Sequence, residues 1–246
     1  MTKPTATTNR LERRKAHTRA ALISAAQRFI AAGNPNVPIL EITQAADVGL
    51  GSFYNHFQSK EELFEAAVEE VLELLGGLLD QLSADIEDPA EGFAQSFRLF
   101  GRFHRRNPDM SKVFLSCGLA MLGSERGLAP RARRGIEEGV QAGRFTVRDA
   151  ELGFTIIAGA ALSLGQFLHN HPERDDAEAT DQVTEDLLRL LGVPARQAQR
   201  IIGLPLPDAD APQGGDDHAS SPARPVRQGR VGVADVPDVR ATAPSG

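Results

Sequence analysis

The chain has 246 residues, an apolar share of 41% and a formal net charge of −6. This length allows one large domain or two small ones, with enough apolar residues to bury a core. The single cysteine, Cys117, excludes an intrachain disulfide, and the polar N-terminus lacks the apolar stretch of a signal peptide. Together these features predict a cytoplasmic protein.

The charge divides the chain into a basic N-terminal part and an acidic remainder. Residues 1–60 contain eight Lys or Arg and three acids, a formal charge of +5, whereas the remaining residues contain 19 basic and 30 acidic side chains, a charge of −11. This division indicates that the N-terminal part contacts a polyanion and that the remainder does not. The charge alone is equally consistent with a solvated N-terminal arm.

In chain order, the N-terminal part is predicted to be helical after a flexible arm, residues 1–9. Apolar residues recur every three or four positions over residues 10–32, which predicts an amphipathic helix with basic first turns. A second helix is predicted over residues 38–46, because proline fits the first turn of a helix. A turn that contains Gly49 and a short helix over residues 51–57 follow.

The rest of the chain is also predicted to be helical. Ser59-Lys60-Glu61-Glu62 is a capping box that starts a long helix, in which Gly76-Gly77 indicates either a bend or a closely packed neighbour. Six further helices start near residues 89, 108, 129, 150, 177 and 195, and no strand pattern is visible, so the fold class is all-α. Periodicity ends at Gly203 and proline becomes frequent, so the tail, residues 203–246, is predicted to be disordered.

The uncharged stretch over residues 152–168 is the candidate for a membrane span. It is rich in Gly, Ala and Ser, it is slightly short for a bilayer, and no second such segment accompanies it. A helix that is apolar on all sides needs burial on several faces. We therefore predict that this stretch belongs to a packed core and a subunit interface, and that the protein has no membrane partner.

Residues 47–57 have the features of a helix-turn-helix unit. Gly49 permits a sharp turn, and Phe53 and Phe57, four residues apart, lie on the inward face of the short helix. The outward residues that can donate to phosphates or pair with a base edge are Ser52, Tyr54, Asn55 and His56. Lys60 adds a positive charge at the start of the next helix, where amide groups attract phosphate. An ordinary amphipathic core helix is the alternative for this stretch.

At these residues the sequence resembles a known family. Residues 42–64, which include Ala45-Ala46-Asp47-Val48-Gly49, Phe53-Tyr54-Asn55-His56-Phe57 and Lys60-Glu61-Glu62-Leu63-Phe64, look like the TetR-like (tetracycline-repressor) family of bacterial transcription regulators. The resemblance implies an N-terminal three-helix DNA-binding domain with a helix-turn-helix, residues 10–60. It also implies a larger C-terminal helical domain, residues 61–202, that binds an effector and dimerises. A homodimer would match the two half-sites of a palindromic operator.

The resemblance also implies which residues contact DNA. Those expected at base edges or at the DNA backbone are Leu50, Ser52 and Asn55. Those expected at phosphates are Tyr54, His56 and Lys60, together with Arg13 and Arg14 of the first helix. Phe53 and Phe57 are expected to pack inside the domain.

Three positions depart from the family pattern. Asp47 replaces the usual turn glycine, and Asp tolerates left-handed backbone less well than Gly but better than most residues. Gly49 replaces the usual serine, so one hydroxyl is missing. Val37-Pro38 replaces the threonine that often starts the second helix, so a phosphate donor is missing.

The C-terminal domain is expected to hold a small apolar or aromatic effector in an apolar pocket. The pocket candidates, among which the polar His104 and Cys117 are the better ones, are Phe97, Phe100, His104, Phe114, Cys117 and Met121. Ordinary core packing is the alternative for each of them. Dimerisation is expected through the two helices over residues 152–168 and 183–191, with the interface candidates Leu152, Ile156, Gly159, Leu164, Val183, Leu187 and Leu190.

No enzyme and no cofactor are predicted, because the sequence contains no phosphate-binding loop, nucleophile elbow or paired-cysteine motif. No metal site is predicted either, since the spacing of His169, His171 and Glu173 is not a zinc pattern. The prediction is a ligand-responsive repressor that binds a double-stranded DNA operator as a homodimer. Two alternatives stay open: a helical small-molecule-binding or scaffold protein whose helix-turn-helix is no longer used, and an activator on the same fold.

Overall fold

The computed structural model describes residues 6–207, apart from the side chains of residues 6–9 and 121. All regular structure in this part of the chain is helical, which confirms the all-α prediction. The start of the predicted arm and the predicted tail beyond residue 207 lie outside the described residues. The ten α-helices of the described part are α1 (Ala6–Ala31), α2 (Ile39–Ala45), α3 (Leu50–Tyr54), α4 (Lys60–Leu82), α5 (Pro89–Arg106), α6 (Pro108–Ser116), α7 (Leu128–Gln141), α8 (Ala150–Asn170), α9 (Asp176–Leu190) and α10 (Ala195–Ile202), with a short 3-10 helix at Gly118–Gly123.

Two helix boundaries differ from the prediction by three residues or more. α1 begins at Ala6, inside the predicted arm, because residues 6–9 contain neither Gly nor Pro and the helix continues through them. α3 ends at Tyr54 rather than at Phe57. The chain leaves the helix there because Ser59, with a φ of −144°, must be extended to cap α4.

The first four helices share one apolar core. α1 packs against α2 and α4, and α2 packs against α3. Phe53, Phe57, Leu22, Ile42 and Leu63 are all buried between them. We call residues 10–60 the head and residues 61–202 the body.

Two helices join the head to the body. α4 runs without interruption from the head into the body, and α6 packs against both α1 and α4. The Gly76-Gly77 pair does not interrupt α4. Instead, a Cβ atom at Gly76 would lie 2.9 Å from Cδ of Arg131 on α7, so the close-packing interpretation is confirmed.

The body is built around α5, which contacts α6, α7, α8 and α9. α5 starts at Pro89, as predicted. The Asp88 side chain caps this start by accepting a hydrogen bond from the Ala90 amide at 2.9 Å. Gly101 permits the closest helix contact, since a Cβ atom there would lie 2.3 Å from Oγ1 of Thr180 on α9.

α8 is the apolar helix that the sequence placed in the core. Within residues 6–207 it is the one helix whose length and composition would suit a membrane span. Phe154, Ile157, Leu164 and Leu168 are nevertheless buried against the rest of the body. Leu152 and Ile156 are exposed on another side, so α8 has one core face and one free apolar face.

Candidate DNA-binding surface and ligand cavity

The turn between α2 and α3 has the backbone geometry of a Schellman motif. Asp47 has a φ of 54°, the only positive φ at a non-glycine residue within residues 6–207. The Asp47 amide donates to Gln44 O at 3.1 Å, and the Val48 amide donates to Thr43 O at 3.0 Å, which are the two bonds of this motif. Asp47 therefore takes the position of the usual glycine, at the cost of a left-handed backbone that disfavours a side chain.

α3 has a buried side and an exposed side. Phe53 and Phe57 are buried, with ring centroids 6.1 Å apart, and they fix α3 to the head. Tyr54 is 60% exposed and meets the Phe53 ring edge to face at 5.1 Å, so the buried ring restricts its orientation. The other predicted contact residues in this segment are the exposed Leu50 and Asn55 and the half-buried Ser52 and His56.

The start of α4 stabilises negative charge. The Ser59 hydroxyl accepts a hydrogen bond from the Glu62 amide at 3.1 Å, and Glu62 Oε2 accepts one from the Gln58 amide at 2.6 Å. Backbone amides and the Ser59 side chain hold the pKa of the Glu61 carboxyl below its usual value. Lys60 is the first residue of α4 and is half-buried. An anion placed here would meet both the amides and the Lys60 charge.

The basic first half of α1 is exposed. Arg13 and Arg14 lie on the surface and form no ion pair with another residue between 6 and 207. The Arg19 guanidinium lies over the Phe57 ring, 5.2 Å from its centroid, and Arg28 donates to Ala45 O at 2.9 Å. These two contacts fix α1 against the segments that carry the exposed side of α3.

The body contains a cavity of about 420 Å³. Its base is formed by the buried rings of Phe97, Phe100, Phe114 and Phe154. α4 contributes Gly76, Leu79 and Asp80 to one wall, so the helix that starts with the candidate phosphate-binding Lys60 also borders the cavity.

Charged side chains surround the opening of this cavity. The exposed lining residues, which we call the mouth, are Asp80, Glu87, Arg134 and Glu138. Arg131, which also lines the cavity, donates from Nε to Asp80 Oδ2 at 2.8 Å and from Nη1 to Glu73 Oε2 at 3.0 Å. The bond to Asp80 raises the pKa of Arg131. The pKa of Glu73 is lowered mainly by its hydrogen bond from the Gly127 amide and, in second place, by Arg131.

A second ion pair lies beside the cavity. Arg144 donates to both oxygens of Asp88, at 2.8 Å each, and this bond lowers the pKa of the Asp88 carboxyl. Since Asp88 also caps α5, the pair joins the start of α5 to the chain that follows α7.

Of the pocket candidates, Phe97, Phe100 and Phe114 line the cavity, whereas His104 and Cys117 do not. His104 is buried between helices, where Nδ1 lies 2.6 Å from Ser111 Oγ, and that oxygen lies 2.7 Å from Nε2 of His169. His104 turns this way because Gly165 leaves room, since a Cβ atom there would lie 2.4 Å from its ring. Burial lowers the pKa of His104 to about 4.

Cys117 and Met121 are the other two pocket candidates. Cys117 donates its thiol to Val113 O at 3.7 Å, and burial raises its pKa to about 11, so it is a packed side chain of the body. The side chain of Met121 lies outside the described part of the chain.

The interface candidates divide into exposed and buried residues. Leu152, Ile156 and Leu190 are exposed, by 61%, 50% and 39%. Gly159 and Val183 are half-buried. Leu164 and Leu187 are buried within the chain, so they are core residues and not exposed interface residues as predicted. Their helices, α8 and α9, both pack against α5.

Sequence reasoning missed Asp80, Arg131 and Phe154 as cavity residues. The Gly76-Gly77 pair was the available signal, since it indicated a close neighbour of α4 and Arg131 is that neighbour. Nothing in the sequence pairs Phe154 of α8 with the phenylalanines of α5. Among residues 6–207, no three His, Cys, Asp or Glu side chains gather as metal ligands.

The fold and these surfaces define the class: a helical DNA-binding regulator whose head carries a helix-turn-helix and whose body contains a cavity. Residues 22–67 match the family described as bacterial regulatory proteins, tetR family. Residues 88–203 match the Tetracyclin repressor-like, C-terminal domain. The chain therefore belongs to the TetR family of transcription regulators, whose members are typically ligand-responsive repressors. This confirms the family that the sequence indicated.

Solved structures agree with this assignment. RolR in complex with the ligand resorcinol is 35% identical, with a TM-score of 0.65, and the match covers 81% of this chain and 100% of RolR. FadR from Bacillus subtilis, in complex with stearoyl-CoA, is 17% identical, with a TM-score of 0.57, over 70% of this chain and 98% of FadR. A regulatory protein of the tetR family from Rhodococcus RHA1 is 21% identical, with a TM-score of 0.55, over 72% of this chain and 98% of that one. The last two show the fold alone. No curated protein matches.

Proposed function

We propose that the protein is a cytoplasmic, homodimeric repressor whose affinity for its operator falls when a small aromatic effector enters the body cavity. The observation that carries this proposal is the position of α4. Its first residue, Lys60, follows closely after Tyr54, Asn55 and His56 in the chain, and its later residues Gly76, Leu79 and Asp80 border the aromatic cavity. A ligand that shifts α4 would therefore alter the head as well.

The exposed side of α3 supplies the proposed DNA contacts. Leu50, Ser52 and Asn55 are proposed at base edges or the DNA backbone, where Asn can pair with adenine. Phosphates are assigned to Tyr54, His56 and Lys60, with Arg13 and Arg14 of α1. The buried Phe53 and Phe57 support this assignment, because they hold α3 with its polar side outward.

The free apolar face of α8 supports a homodimer. Leu152 and Ile156 are one helical turn apart and exposed, and Leu190 of α9 is also exposed. Large exposed apolar side chains at helical spacing indicate an interface. Gly159 on α8 has open space around its Cα, which permits a close approach by a second helix. A two-fold axis here would present two α3 helices to a palindromic site.

The cavity supports a small aromatic effector. Its volume of about 420 Å³ lies near the lower end of ligand pockets, and its base consists of phenylalanine rings. Aromatic ligands pack edge to face or offset on such rings. The 35% identical RolR was solved with resorcinol, a small aromatic molecule, which is consistent with this class.

Selection of bound sequences from random duplex DNA tests the regulator function. The full-length protein should enrich a palindrome, and Tyr54→Ala should weaken binding to it while the fold stays intact. A folded wild-type protein that enriches no sequence would contradict the proposal and would favour a small-molecule-binding or scaffold protein. Transcription from a promoter that contains the selected site then separates a repressor from an activator.

Sedimentation of the Ile156→Arg variant tests the dimer. A buried charge without a partner is strongly unfavourable at an apolar interface, so the wild type should sediment as a dimer and the variant as a monomer. Glu137→Arg on α7, at an exposed acidic position outside the α8 and α9 residues of the proposed interface, is the control for a changed charge alone. A monomeric wild type at micromolar concentration would contradict the homodimer.

A further inference from the structure

We infer that the body cavity selects an uncharged, hydroxylated aromatic molecule and excludes aromatic carboxylates. This inference rests on the proposed effector function of the cavity and assigns its ligand class. It follows from three features: the net charge of the mouth, the ion pairs of Arg131 and Arg144, and the phenylalanine rings at the base of the cavity.

The mouth is acidic. Asp80, Glu87 and Glu138 carry three formal negative charges against the single positive charge of Arg134. Arg134 and Glu138 are four residues apart on α7, so the acidic neighbour weakens the attraction of Arg134 for an anion. Asp80 is paired with Arg131, whereas Glu87 forms no ion pair within residues 6–207, so the mouth keeps a net negative charge that repels an entering carboxylate.

Two arginines line the cavity: Arg134 is exposed at the mouth, whereas the half-buried Arg131 is already paired. Its Nε donates to Asp80 Oδ2 at 2.8 Å, and its Nη1 donates to Glu73 Oε2 at 3.0 Å and to Gly127 O at 2.7 Å. A ligand carboxylate could form a bidentate pair with this guanidinium only after breaking some of these bonds. The pair between Arg144 and Asp88 is equally saturated, with two bonds at 2.8 Å.

Asp80 keeps one acceptor oxygen available to a ligand in the cavity. Asp80 uses Oδ2 for Arg131, while Oδ1 forms no hydrogen bond with another residue between 6 and 207. An ionised carboxylate is only an acceptor, so it binds a ligand that donates. A phenolic hydroxyl is such a donor and carries no charge at neutral pH, whereas an ionised benzoate has acceptors alone.

The base completes the class. Phe97, Phe100, Phe114 and Phe154 present apolar rings, and all four are buried. An aromatic ring placed among them would lie below the mouth, with its hydroxyl groups directed to the acidic side. The ligand class is therefore a small aromatic ring with one or more free hydroxyls.

Calorimetric titration of the full-length protein with three probes tests this inference. The probes are resorcinol, meta-hydroxybenzoate, in which one hydroxyl is replaced by a carboxylate, and benzoate. At neutral pH the wild type should bind resorcinol at least about tenfold more tightly than either carboxylate, the effect of one hydrogen bond to a charged group. Equal or tighter binding of a carboxylate would overturn the inference.

Asp80→Asn tests the residue assignment. The substitution keeps the shape but replaces a charged acceptor by a neutral one and weakens the pairing of Arg131, so resorcinol should bind about tenfold more weakly and the preference over benzoate should shrink. Glu73→Gln is the matched control, since Glu73 also pairs with Arg131 but does not line the cavity. Its resorcinol affinity should stay within about threefold of the wild type. An unchanged preference in Asp80→Asn would overturn the assignment.

Operator affinity, measured on the same samples, separates the two levels of the proposal. If a carboxylate binds and lowers operator affinity, the cavity is an effector site and the inferred ligand class is wrong. If none of the probes binds while the protein still binds its operator, the aromatic effector and its class are both wrong, and DNA binding stands.

Discussion

The head and the body are both helical, but they depend on contacts of different range. In the head, neighbouring residues define the functional surface: Asp47 closes the turn, Ser59 caps α4, and Phe53 turns α3 outward. In the body, the cavity depends on residues that are far apart, such as Asp80 on α4 and Arg131 on α7. A DNA-binding surface can thus be built from local sequence, whereas a ligand cavity depends on how distant helices meet.

The largest change in stability is expected when the buried ring of Phe53 is removed from the head. Phe53→Ala should lower the free energy of unfolding by about 3–5 kcal/mol, because a fully buried ring is replaced by a void. Tyr54→Ala, at the neighbouring exposed position, should change it by less than about 0.5 kcal/mol while weakening DNA binding. Denaturant unfolding and operator titration of both variants check this division. Equal destabilisation by the two substitutions would contradict the assigned faces of α3.

The next effect belongs to the body and depends on pH. Burial holds the pKa of His104 at about 4, below the ordinary value of 6.5, so the folded protein keeps this ring neutral while the unfolded chain takes up a proton as the pH falls. The stability contributed by the neutral ring is complete above pH 6.5 and is lost as the pH falls toward 4. Between pH 7 and 5 the loss should be about 2 kcal/mol.

Unfolding in urea at several pH values measures this loss. A His104 imidazole that titrates near 6.5 by NMR would contradict the buried, neutral assignment.

Two glycines test how strongly helix packing contributes to the stability of the body. Gly101→Ala should destabilise the protein by about 1–3 kcal/mol, because its Cβ would collide with Thr180 of α9. Gly77→Ala has open space around it and should stabilise α4 by up to about 1 kcal/mol. Thermal unfolding of the two variants distinguishes them. A stabilising Gly101→Ala would mean that α5 and α9 are less closely packed than described.

The smallest expected effect concerns the turn of the head. Asp47→Gly should stabilise the protein by about 0.5–1 kcal/mol, since glycine adopts the positive φ at this position without strain. Asp47→Ala should be destabilising by a similar amount, because alanine lacks the local hydrogen bonding of Asp. Denaturant midpoints at constant slope measure both changes. A destabilising Asp47→Gly would contradict a strained turn.

The sequence predicted what depends on short separations. The capping serine, the start of α5 near residue 89, the helix-turn-helix and the buried positions of Phe53 and Phe57 are confirmed. The predicted end of α3 at Phe57 is wrong. Aromatic residues continue beyond Tyr54, but the chain must leave the helix before Ser59, which is extended and caps α4.

What could not be predicted depends on the direction of side chains between distant helices. His104 has the spacing of a pocket residue, but the gap left by Gly165 on α8 takes its ring toward Ser111 instead. Leu164 and Leu187 have the periodicity of an interface, and periodicity does not tell a core face from a subunit face. The acidic mouth arises only when α4 and α7 meet.

We expect the exposed side of α3 and the start of α4 to bind the DNA backbone and bases. Operator titration over a range of salt concentrations tests this expectation most directly, with the wild type, Lys60→Ala and, as a control on the body, Lys112→Ala. Lys60→Ala should reduce the slope of log affinity against log salt by about one, the loss of one phosphate contact, while Lys112→Ala should leave it unchanged. Equal slopes for the wild type and Lys60→Ala would contradict the claim.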